Sequence, residues 1–119
     1  MKKGINKVTL VGHVGDEPKV NNINDTTKVA RFPLATNEIF VDKNGVEVQK
    51  TEWHTVVAWN KRAGIIEEYV KKGDALYVEG KIQTSNWEDK DGNKRKSIEI
   101  LCDDFLFLSP RNRKAREEE

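Results

Sequence analysis

The stretch from Thr51 to Trp59, TEWHTVVAW, constrains the chain most. β-Branched and aromatic residues crowd it, a composition that favours a strand over a helix. Successive side chains of a strand point to opposite faces. Thr51, Trp53, Thr55, Val57 and Trp59 therefore share one face, and Glu52, His54, Val56 and Ala58 share the other. Val56 and Ala58 have the size of a small-barrel interior. The two indoles are left on the face turned away from it. Such a pair either packs under a loop or another subunit, or offers a platform to something flat.

The flanking sequence alternates in the same way. Lys7 to Val14 places Val8, Leu10 and Val14 on one face, with Gly12 and Gly15 marking a sharp bend. Asp16-Glu17-Pro18 breaks that strand, and Asn21 to Thr26 reads as a polar turn. Lys28 to Phe40 resumes the alternation with Ala30, Phe32 and Leu34 inward, and Pro33 marks an edge or a bulge. Asn60 to Lys72 is the one helical stretch, with Asn60 as N-cap, an apolar stripe of Ile65, Ile66, Tyr69 and Val70, and Gly73 as its stop. Asp74 to Trp87 is again a strand, with Leu76, Val78 and Ile82 inward, Gly80 as a bend and Trp87 pointing outward. Lys96 to Leu108 closes the fold. Two hairpin tips echo each other: Phe40 and Trp87 are each followed by one spacer and then Asp-Lys-x-Gly, at Asp42 to Gly45 and Asp89 to Gly92.

Composition narrows the function classes. A chain of 119 residues suits one domain, and its net charge of +1 leaves only local patches to argue for a polyanionic partner. Cys102 is the single cysteine, so neither an intrachain disulfide nor a thiolate metal cluster is available, and it reads as a small core residue. His13 and His54 stand far apart and make no zinc pattern, and no residue sits in an activated-nucleophile motif. The expectation is a soluble, cytoplasmic protein that is not an enzyme and uses no cofactor, metal or membrane. Strands with bending glycines, and one helix between the third and fourth, imply an all-β chain with one helix: an OB-fold, a five-stranded Greek-key barrel.

Three segments strengthen that reading. Gly4 to Gly12 (GINKVTLVG), Thr51 to Val57 (TEWHTVV) and Tyr69 to Gly80 (YVKKGDALYVEG) resemble the opening strand, third strand and helix-to-fourth-strand passage of bacterial single-stranded DNA-binding proteins. The likeness runs from about Gly4 to Leu108. It implies an OB-fold domain over residues 1–108 and a short charged tail over 109–119. It also implies coating of single-stranded DNA without sequence preference, in replication, recombination and repair. The family stacks bases on aromatic side chains, and the matching positions are Phe40, Trp53, Trp59 and Trp87, which the alternation is expected to leave outside the core. Phe40 stands where the family often has tryptophan, and Trp59 where it often has phenylalanine. Lys3, Lys7, Lys43, Lys61 and Lys72 match positions commonly basic in the family and imply phosphate neutralisation. Thr55, Gln83, Ser85 and Asn86 occupy places where relatives carry Arg or Lys, which implies a less positive groove.

The resemblance further implies a homo-oligomer, a tetramer in the relatives, with His54, Tyr77 and the strand from Lys7 to Val14 at subunit contacts. The relatives usually end in a disordered tail with an acidic, hydrophobic tip that recruits replication and repair proteins. Arg111 to Glu119 lacks such a tip, which leaves recruitment of those proteins open. Two other readings of the same fold are an RNA-binding module and a primosome-type adaptor.

Overall fold

The computed structural model describes residues 3–108, so the reading of the tail over 109–119 falls outside the described residues. Six strands and one helix follow in order: β1 Val8–Val14, β2 Lys19–Asn24, β3 Thr27–Val41, β4 Glu47–Trp59, α1 Lys61–Tyr69, β5 Ala75–Glu88 and β6 Lys94–Phe107. They form one sheet in the order β1-β5-β6-β4-β3-β2, and β1 also pairs with β3. That extra pairing, His13 with Ala35 and Val14 with Leu34, closes the sheet. β1 and β2 run along the same edge of β3, and together they act as one bent strand of a closed five-stranded barrel. All pairings are antiparallel except β4 with β6, which is parallel and covers only Thr55 to Val57 against Glu99 to Leu101.

Most of the expected inward residues fill the barrel, but Ile82 does not: it is 48% exposed, because β5 has by then run past the packed interior. Ala30, Phe32, Leu34, Val56, Ala58, Leu76, Val78, Ile100 and Cys102 form the core with Ala63, Ile66 and Val70 from the helix region. The glycines on β1 and β5 are required by close approach. A Cβ at Gly12 would fall on the Ala35 carbonyl, and one at Gly80 on the Leu101 carbonyl. At Gly80 the β5–β6 register also shifts, the local kink that a small barrel uses to turn its corner. Pro33 sits where the partner of β3 passes from β2 to β1. Its carbonyl accepts from the Gly15 N–H at 2.9 Å, and its own missing donor costs no ladder bond at that break.

Three local expectations are corrected. The polar run Asn21 to Thr26 is not all turn: Lys19–Asn24 is a strand paired with β3, and only Asp25 and Thr26 turn. Polar residues suffice there because both faces of this edge strand are largely solvated. Asn60 does not cap α1 with its side chain. It adopts φ 54°, and its Oδ1 accepts from the Lys28 N–H at 3.1 Å while its own N–H donates to the Lys28 carbonyl at 2.8 Å. The residue extends the β3–β4 ladder instead. The helix ends at Tyr69, and its buried side is Ala63 and Ile66, continued by Val70, whereas Ile65 and Tyr69 face solvent. The barrel mouth accepts a narrower stripe than the apolar sequence offers.

Candidate nucleic-acid interface

Register fixes which side chains share the outer face. Along β4, Trp53, Thr55, Val57 and Trp59 pair with Ala35, Pro33, Arg31 and Val29 of β3. Across the parallel seam Thr55 meets Glu99 and Val57 meets Leu101. From β6 the same face continues onto β5 through Glu99 with Gln83, Ser97 with Ser85 and Arg95 with Trp87. Trp53, Trp59 and Trp87 therefore belong to one outer surface running over β3, β4, β6 and β5. They are 60%, 38% and 50% exposed, so none is buried in the core. Trp53 is placed by a glycine: a Cβ at Gly15 would fall on the six-membered ring of its indole.

Phe40 is exposed but is not on that surface. It pairs with Val48, and by alternation it lies on the face of Thr36, Lys50 and His54. Its parity is that of the inward residues Ala30, Phe32 and Leu34, so alternation alone does not set it outside the core. It escapes burial because β3 and β4 run beyond the barrel as an arm. β5 and β6 form a second such arm carrying Trp87, and no β4–β6 pairing is made beyond Thr55 and Glu99 toward the two tips.

The two arms end alike. Asp42 Oδ1 accepts from the N–H groups of Asn44 at 2.9 Å and Val46 at 3.0 Å, and Asp89 Oδ1 accepts from those of Asp91 at 3.0 Å and Asn93 at 2.9 Å. Gly45 and Gly92 take φ 77° and 83°, the left-handed conformation that glycine adopts at no steric cost. Asp89 also binds the Arg95 Nε at 2.9 Å, and that hydrogen bond, helped by the Asn93 and Asp91 N–H donors, holds its carboxyl below the usual range.

The lysines are dispersed. Lys43 stands exposed on the β3–β4 tip, and Lys61 is exposed at the start of α1, two residues beyond Trp59. Lys3 is exposed ahead of β1, and Lys72 is exposed beyond the helix, where its N–H donates to Glu17 at 3.2 Å. Lys7 is engaged by Glu79 at 2.9 Å, a hydrogen bond that raises the lysine and lowers the carboxylate from their ordinary values. On the other face of β4 from the indoles, His54 Nε2 shares a 2.9 Å hydrogen bond with the Thr36 hydroxyl, and the ring faces a recess lined by Thr9, Leu10 and Val11 of β1. Tyr77 lies between Val11 and Leu106 in the ladder, both of them exposed.

One pair escaped the sequence reading. Glu99 is only 5% exposed on the outer face, and its Oε2 accepts from the Arg31 Nε at 3.0 Å. Each residue is a lone charge within an apolar run, Ala30-Arg31-Phe32 and Ile98-Glu99-Ile100, but only the pairing of β3, β4 and β6 brings them together. No group of three or more metal-ligating side chains occurs among the described residues.

A closed small barrel whose outer face presents three solvent-directed indoles defines an OB-fold binding protein of the oligonucleotide-recognising kind. Comparison with known proteins narrows this. The profile of the Single-strand binding protein family matches residues 5–108. Single-stranded DNA-binding protein 1 of Chlorobaculum tepidum is 42% identical over 113 residues, covering 94% of this chain and 70% of that protein. The Bacteroides thetaiotaomicron single-stranded DNA-binding protein is 44% identical over 109 residues, covering 90% and 68%. The structure of a Plasmodium falciparum SSB in complex with ssDNA superposes with a TM-score of 0.81 at 35% identity, over 92% of this chain and 99% of that one. The chain belongs to the single-strand binding protein family.

Proposed function

We propose that the chain binds and coats single-stranded DNA of any sequence, serving replication, recombination and repair, and that it does so by binding without catalysis. The observation that carries this reading is the shared outer face of Trp53, Trp59 and Trp87, open to solvent on a rigid sheet. Every base has a π face, so stacking at roughly 1–3 kcal/mol per base is indifferent to sequence. Phe40 supplies an aromatic on the reverse of the first arm, where a strand passing round the arm meets it. Lys3, Lys7, Lys43, Lys61 and Lys72 neutralise phosphates along the way, with Lys7 partly satisfied by Glu79. The domain so described is residues 1–108, and it acts in the cytoplasm on exposed DNA. Among the described residues no helix is long and apolar enough to cross a membrane.

The same reading includes a homo-oligomer of tetrameric type. Val11, Tyr77 and Leu106 form a cross-strand apolar stripe on the outside of β1, β5 and β6, away from the indoles, and His54 faces β1 nearby. A second copy of the chain suits that stripe. The test is direct. All three tryptophans are on the proposed face, so poly(dT) is expected to quench most of the intrinsic fluorescence, and duplex DNA of equal length to quench little. Binding with unchanged emission assigns the indoles a structural role and removes the reading's main support. Competition with poly(U) separates DNA from RNA.

A further inference from the structure

Trp53 and Trp59 are six residues apart along β4, about 20 Å at 3.3 Å per residue. The surface between them is not bare. Val57 points outward there yet is fully buried, and it is not part of the barrel core. What crosses that surface is the Arg31–Glu99 pair. Arg31 is on β3, in register with Val57, and Glu99 is on β6, in register with Thr55. With strands about 4.8 Å apart, the two backbones are separated by roughly 10 Å with β4 in between. A 3.0 Å contact over that span requires both side chains to lie down across β4. The carboxylate is almost wholly buried, whereas the arginine side chain keeps 40% of its surface open. A buried acid on a face that takes a polyanion is unfavourable by itself, and here its charge is cancelled by the guanidinium.

We propose that Arg31, held flat over β4 by Glu99, is a base-stacking platform between Trp53 and Trp59, and that Glu99 is its positioning residue. Guanidinium is planar and stacks on aromatic rings. Its pairing with Glu99 leaves the site without net charge, so the platform adds adhesion without adding salt dependence. The row then reads Trp59, Arg31, Trp53 along the strand.

The inference rests on the single-strand reading, and the experiment separates the two. A dT oligomer of about eight nucleotides, short enough for one barrel, is titrated by tryptophan quenching over a salt series. The proteins are the parent, Arg31→Lys, Glu99→Gln and the double variant Arg31→Ala with Glu99→Gln. Arg31→Lys keeps the ion pair and its fold but loses the plane. It is expected to bind about tenfold more weakly with an unchanged slope of log affinity against log salt. The double variant is expected to match it in both respects. Glu99→Gln alone frees a positive charge and steepens the slope by about 0.7. Parent-like binding by Arg31→Lys overturns the proposal. A slope shallower by about 0.7 in the double variant also overturns it, because it identifies a phosphate contact. Failure of the parent to bind at all defeats the single-strand reading instead.

Discussion

A methyl group has opposite consequences at Gly15 and at Gly12 or Gly80. At Gly15 it meets the far end of an exposed indole, which can swing away. At the other two it meets backbone carbonyls of a neighbouring strand, which cannot move without opening the barrel. Gly15→Ala is therefore expected to leave the melting temperature nearly unchanged and to weaken poly(dT) binding by displacing Trp53. Gly12→Ala and Gly80→Ala are expected to lose about 1–3 kcal/mol of stability, read by thermal denaturation. Trp53→Ala sets the scale for the first variant, at about 1–3 kcal/mol of binding energy. Cys102 offers a check on the core. Burial pushes its thiol up to about 11, so the folded state favours the neutral form. The corresponding stability is fully present below the unfolded thiol value near 9 and is lost as pH rises toward 11. At neutral pH Cys102 is expected to resist a thiol reagent until the barrel unfolds. Composition sufficed to place this cysteine in the core. The Arg31–Glu99 contact was not legible, because an ion pair spanning three strands leaves only two isolated charges in the sequence.

Hairpins were the most legible elements. The Asp-Lys-x-Gly tips are local devices, with one aspartate oxygen gathering the turn's N–H groups and a glycine supplying the left-handed residue. The helix and the second strand were read less well, because their extents depend on what the barrel mouth and the β3 edge accept. Phe40 shows the same limit: alternation holds along all of β3, but where the barrel ends and the arm begins is a tertiary fact. At the second tip the depressed Asp89 carboxyl carries a pH dependence. Its contribution is present above the ordinary carboxylate value near 3.8 and disappears as pH falls through its lowered one. Trp87, beside Arg95 in that arm, is expected to change emission only in this acid range, and Asp89→Asn to remove the transition. Gln83 and Ser85 stand on the outer face of the same arm. Gln83→Arg with Ser85→Arg is expected to steepen the salt dependence of DNA binding by up to about 0.7 per added phosphate contact. An unchanged slope takes this arm out of the DNA path.

β3 with β4, and β5 with β6, run beyond the barrel as two projecting arms. A molecule so shaped gains reach if several barrels share one DNA strand. Val11→Glu is expected to dissociate the proposed oligomer in light scattering over a dilution series, and His54→Ala to loosen it, while Trp53→Ala leaves it intact. Loss of assembly is then expected to weaken binding to long DNA far more than to a short oligomer, because linked sites share a high effective concentration. The barrel's closing seam has a different consequence, in time. β3 with β4, and β5 with β6, can pair as soon as each hairpin exists, but β1 must wait for β5, and the outer face over Val57 must wait for Glu99 on β6. Closure of this kind is slow, because distant segments have to meet before any contact rewards them. On a ribosome adding about 5–20 residues per second, the indole-bearing β4 emerges several seconds before the strand that completes its surface. During that interval the nascent chain displays a hydrophobic hairpin, the kind of exposed surface and unpaired edge from which aggregation starts.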